Sequence, residues 1–180
     1  MKTRARKSPF LGGWFLDGDN VAIMIELSLI GVRVELPSNQ PIVLLKEVEG
    51  DRYLPIWIGA VEATAIAFAL QGIQTPRPMT HDLLKDLLTG AKQGVERVVI
   101  SDLVEQTFYA VIRMSGHGET TEVSSRPSDA IALAVRINAP IFAADEVLEQ
   151  AGIELQDQEE TEVEKFREFL DQVTPEDFAS

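Results

Sequence analysis

Between Arg52 and Gly72 the chain reads RYLPIWIGAVEATAIAFALQG. Five of its first seven residues are aliphatic or aromatic, the composition of a strand. Pro55 has no N–H to give to a ladder, so it marks an edge or an irregular point. Gly59 ends the strand. Alanine, the best helix former, then recurs from Ala60 onward, and Gly72 supplies a natural C-terminal stop. The predicted helix is apolar on nearly every side, which predicts burial against a sheet. Trp57 reads as core.

The pattern extends outward in both directions. IVLLKEV, Ile42 to Val48, forms a hairpin with RYLPIWI across the tight turn EGD, and MIELSLIGVRVEL, Met24 to Leu36, reads as a further strand. Downstream, IQTPRPM cannot be helical through its two prolines, and Thr80 is a good N-cap for HDLLKDLLTGAK. VERVVISDL and TFYAVIRM make a second hairpin, followed by a short strand, TTEVSS. Pro127 suits the first turn of the helix PSDAIALAVRIN, and a strand, APIFA, and a short helix, ADEVLEQAG, complete the order. This is neither βαβ alternation nor all-β. It predicts a single compact α+β domain, with helices packed on a mixed or mostly antiparallel sheet. Two hairpin-then-helix segments hint at a duplicated unit.

The expected boundaries are a flexible N-terminal extension over residues 1–23, the folded domain over 24–153, and an acidic tail over 154–180. In the tail Val163, Phe166, Phe169, Leu170 and Val173 recur at helical spacing, the pattern of an amphipathic helix that needs a surface. The chain has 180 residues, 45% of them hydrophobic, which is enough for a sizeable core. It has no cysteine. That excludes disulfides, thiolate nucleophiles and cysteine-ligated zinc, and it fits the reducing cytoplasm, where the protein is expected. The longest apolar run, VAIMIELSLIGV, is interrupted by Glu26 and is too short to span a membrane. MKTRARK resembles the charged start of a signal peptide, but no continuous apolar segment follows it.

The net charge is −13, of which residues 1–7 carry +4 and residues 154–180 carry −8, so residues 8–153 carry −9. An acidic body repels phosphate backbones, which argues against a tight nucleic-acid binder. Three carboxylates, Glu62, Asp82 and Asp129, fall in the first turns of three predicted helices. The plain structural reading is stabilisation by the helix dipole. The functional reading is a shared crevice in which these carboxylates and His81 hold Mg²⁺ or Mn²⁺, with His81 as ligand or general acid–base. Arg77 and Arg126 each precede a proline and so sit in extended backbone. They either bridge to Asp82 and Asp129 or bind a substrate phosphate through the planar guanidinium. His117, between two glycines, reads as exposed and inert. Thr80 and Ser128 read as capping residues, and no GxSxG or HExxH motif is present.

LPIWIGAVEATAIAFALQG, RPMTHDLL and RPSDAIALAVRINAPIF, with TFYAVI between them, together resemble the bifunctional nuclease family over about residues 24–153. The long acidic tail resembles that of actinobacterial members. The resemblance implies a compact α+β domain, a homodimer, and metal-assisted nuclease activity on DNA and RNA. Its recurrent positions fall here on Gly59, Glu62, Arg77, Pro78, Thr80, His81, Asp82, Arg126, Pro127, Ser128, Asp129 and Pro140. The chain departs from the family in having Ser124 and Ser125 before its second Arg-Pro, where an acidic or small pair is frequent. The alternative to a nuclease is a non-catalytic homodimeric interaction or regulatory module, in which the same residues cap helices.

Overall fold

The computed structural model describes residues 14–17, 20–35 and 38–154. In chain order the elements are β1 (Trp14–Asp17), β2 (Asn20–Glu35), β3 (Gln40–Glu47), β4 (Arg52–Trp57), α1 (Ala60–Leu70), α2 (Thr80–Gly90), β5 (Gly94–Val104), β6 (Thr107–Gly116), β7 (Glu119–Ser125), α3 (Pro127–Ile137), β8 (Ile141–Ala144), α4 (Asp145–Ala151) and β9 (Ile153–Glu154). This is an α+β fold. The patternless stretch before Met24 contains more structure than expected: β1 pairs with the first residues of β2. The amphipathic pattern of residues 163–173 lies outside the described residues.

The sheet runs β7-β6-β5-β8-β2-β3-β4-β9, with β1 added on β2. All neighbours are antiparallel except β5 and β8, which are parallel. A parallel pair needs a long crossover, and here that connection runs through β6, β7 and α3. The two meanders, β2-β3-β4 leading into α1 and β5-β6-β7 leading into α3, are joined through β8. They correspond to the two hairpin-then-helix segments.

Register decides which side chains form the core. Val43 lies opposite Ile56 and Leu45 opposite Leu54, while Val98 faces both Ile112 and Ile141. These residues, with Ile66 of α1, Ile131 and Leu133 of α3, and Val147 and Leu148 of α4, form one buried cluster. Pro55 alternates to the other face of β4, beyond the two residues that β9 covers, where its missing N–H breaks no ladder bond. Trp57 follows the same alternation. It is 51% exposed rather than core, and its Nε1–H donates to Glu35 at 3.0 Å. Helix α1 also departs from expectation. Ala63, Ala65 and Ile66 are buried, but Val61 is 76% exposed, so one apolar face is left outward.

An ion triad closes the far end of the sheet. Arg52 donates to Glu47 and, at 2.9 Å, to Asp145, tying the β3–β4 turn to the start of α4. The bond from Arg52 holds the Glu47 carboxyl below its ordinary value against the opposing effect of burial.

Candidate active site

Helices α1, α2 and α3 begin in the same way. Their N-caps, Gly59, Met79 and Arg126, have extended backbone, and three residues later each helix carries a carboxylate: Glu62, Asp82 or Asp129. At that position a carboxylate sits beside unpaired N–H groups at the positive end of the helix. The N-cap of α2 is Met79, not Thr80. The cap is made in reverse, by Asp82 accepting from the Met79 N–H at 2.9 Å. Pro127 occupies the first turn of α3 and holds Arg126 extended.

Two of these helix mouths meet at Arg126. Its Nε donates to Asp129 Oδ2 at 2.7 Å, and its Nη2 donates to Asp129 Oδ1 at 3.0 Å and Glu62 Oε1 at 2.9 Å. The guanidinium plane is thereby fixed, while its side chain stays 65% exposed. Nη1 makes no hydrogen bond among the described residues. The third mouth joins through His81, whose Nε2 lies 3.1 Å from Asp129 Oδ1. Burial raises the Asp129 pKa, but the bonds from Arg126 and His81 outweigh it and leave the group below its ordinary value. Asp129 is therefore ionised at neutral pH and can only accept. Nε2 of His81 is therefore the donor in this bond, and the tautomer with its proton on Nε2 has its lone pair on Nδ1. His81 is 8% exposed and forms the floor of the cluster.

Asp82 belongs to a neighbouring pair. Arg136, near the end of α3, donates to Asp82 at 2.5 Å, to Ala65 O of α1 at 3.0 Å and to Ala132 O at 2.8 Å. One guanidinium thus braces three helices. Its bond is the main reason the Asp82 carboxyl lies below its ordinary value. Sequence reading missed Arg136. The only sign was its position in the last turn of α3, where a cation complements the dipole.

Arg77 is exposed and bridges to neither Asp82 nor Asp129; Asp82 is taken by Arg136 and Asp129 by Arg126. Ser128 is buried at the mouth of α3. His117 is exposed, in a left-handed turn, with Nε2 3.3 Å from Ala91 O. Among the described residues no three His, Asp or Glu side chains converge closely enough to hold a metal. A hard cation would also have to displace Arg126 from Glu62 and Asp129. The arrangement does not fit a preformed metal site. Beside Arg126 opens a cavity of about 310 Å³, running past Gly59 and Ser128 to Trp57 and Phe108.

Residues 43–156 match the model of the bifunctional nuclease domain. The chain belongs to this family. It is 48% identical over 164 residues to an uncharacterized protein of Mycobacterium tuberculosis (strain H37Rv), covering 86% of this chain and 98% of that one. It is also similar to bifunctional nuclease 1 of Oryza sativa subsp. japonica, 29% identical over 129 residues, and to bifunctional nuclease 2 of Arabidopsis thaliana, 30% identical over 112 residues. These matches cover 69% and 59% of this chain but only 39% and 34% of the plant proteins. Every one of Glu62, His81, Asp82, Arg126 and Asp129 lies inside the family match.

Proposed function

We propose that the Arg126–Asp129–His81 cluster hydrolyses phosphodiester bonds in DNA and RNA. The observation that carries this reading is the sharing of Asp129: one carboxylate both orients a histidine and fixes an exposed arginine. The open Nη1 donors of Arg126 bind a phosphate oxygen, and Arg77, exposed and without an ion pair among the described residues, supplies a second positive charge along the strand. His81 Nδ1 takes the proton of the attacking water as its oxygen bonds to phosphorus. The imidazolium, held by Asp129, then returns a proton to the departing sugar oxygen. Glu62 orients Arg126. Asp82 is a positioning residue, holding the start of α2 and so His81.

The experiment is cleavage of labelled single-stranded RNA and duplex DNA, in EDTA, Mg²⁺ or Mn²⁺. Both metals are included because Mg²⁺ is commonly held by one or two carboxylates together with substrate phosphates. His81→Ala should lower turnover by about 10²–10⁴-fold, the usual worth of a general acid–base. The lack of cysteine supports a reducing, cytoplasmic setting. No helix among the described residues is long and apolar enough to cross a membrane.

A second reading rests on a different observation. Val61 and Leu70 on α1 and Leu83 and Leu87 on α2 are large, apolar and 45–76% exposed. Leu83 and Leu87, four residues apart, share one side of α2, and such exposed apolar residues support a homodimer, either as the working form of the nuclease or as the whole function of a non-catalytic module.

A further inference from the structure

The cavity beside Arg126 plays no part in the chemistry above, yet its walls are specific. Trp57 lines one side, half-exposed, with its indole held in place by the bond to Glu35. Phe108, packed against the core, lines another. Gln106 adds a side-chain amide, a group that can both donate and accept. Gln106 and Glu105 form the two-residue turn between β5 and β6 and both have positive φ, +67° and +48°, with neither a glycine. Left-handed backbone at non-glycine residues is uncommon, and where it persists the surroundings enforce it. A two-residue hairpin requires positive φ at both positions, and here its second residue, Gln106, lines the cavity. The volume, about 310 Å³, is at the small end of ligand pockets.

We propose that this cavity seats one unpaired nucleobase, stacked on Trp57 and hydrogen-bonded by Gln106, with the adjoining phosphate on Arg126. The inference rests on the nuclease reading and narrows its substrate to single-stranded nucleic acid. The charge argues in the same direction. A duplex brings a negative charge about every 1.7 Å along its axis and keeps its bases paired inside. This chain carries −13, and Glu62, Asp129 and Glu35 stand around the cavity. Binding by stacking, with few phosphate contacts, avoids most of that repulsion. Aromatic stacking is also indifferent to the sugar, so one pocket serves both DNA and RNA.

The test is direct binding in EDTA of a labelled twelve-residue oligothymidine, alone and annealed to its complement, with the full chain. The single strand should bind at least tenfold more tightly than the duplex. Trp57→Ala should weaken single-strand binding about tenfold or more, and Trp57→Phe by only a few-fold, because a ring remains for stacking. Gln106→Ala, at an exposed turn, should weaken it by a smaller factor. His117→Ala, on an exposed turn that touches neither the cavity nor the Arg126 cluster, should bind as the wild type does. In the Trp14→Phe background Trp57 is the only tryptophan, and its emission should be quenched by the single strand; this holds even where Trp57→Ala fails to fold. Equal binding of single strand and duplex, no binding at all, or emission unmoved by the bound strand each overturns the pocket. The nuclease reading fails separately, through wild-type cleavage that is absent or unchanged in His81→Ala while binding persists.

Discussion

Arg126 donates through Nε and Nη2 to two carboxylates on different helices. Lysine is a point charge and cannot span both bonds in one plane. Arg126→Lys should therefore rescue little, and Arg126→Gln and Arg126→Lys should both lower kcat/KM by about 10²–10³-fold, the range for losing one transition-state donor. Steady-state kinetics on a short single strand would read this, and full activity in the lysine variant would remove Arg126 from phosphate binding. Arg136 presents the opposite case. It is 6% exposed, so Arg136→Met should cost about 2–3 kcal/mol of stability by removing the charged partner of Asp82, which keeps only the Met79 N–H, together with the side-chain bonds to two helix carbonyls. A shift of the urea midpoint would measure it.

The same pairs make stability depend on pH. Asp82 and Asp129 both titrate below their ordinary value in the folded chain, Asp82 mainly through Arg136 and Asp129 through Arg126 and His81 acting against burial. A depressed carboxyl contributes stability above its unfolded pKa, about 3.9, and loses it as pH falls through the folded value. Urea midpoints should therefore be level between about pH 7 and 5 and fall below about pH 4. Asp82→Asn should lose part of that acid-side slope. An unchanged slope would mean that the Arg136 pair is not felt in solution.

At the scale of elements, what was legible in sequence follows from what is local. Helix α1 was clear from its alanines and its closing glycine, and α3 from Pro127, because caps and propensity act within a few residues. The three first-turn carboxylates were legible for the same reason. The Arg126–Asp129 bridge, three residues apart, was legible as one of two readings of Arg126, but the distant partners were not: Arg126 reaches Glu62 across 64 residues, and Arg136 reaches Asp82 across 54. No spacing rule connects such pairs. Trp57 was misread because hydrophobicity was given more weight than alternation. Leu54 and Ile56 point into the core, so Trp57 must point away. The all-round apolarity of α1 predicted burial, but α3 and the sheet cover only part of its surface. If the exposed apolar residues of α1 and α2 join two copies, Val61→Lys with Leu87→Glu should halve the mass seen by light scattering while the far-ultraviolet spectrum stays that of the folded chain. A mass already that of one chain in the wild type would dismiss the dimer.

Across the whole molecule, the −13 charge and a nucleic-acid substrate are reconciled by locality. One exposed guanidinium stands at the junction of three helix mouths, two from corresponding ends of the two meanders and the third supplied by α2. Repulsion elsewhere limits affinity, so catalysis must rest on positioning at this point rather than on a wide basic surface. The most direct measurement is cleavage of a labelled single strand by the purified chain, beside Asp129→Asn and a folded His81→Ala control. The account predicts cleavage by the wild type and a loss of at least about 10²-fold in both variants, since Asp129 orients the histidine and fixes the arginine. Cleavage that survives in both variants would contradict it.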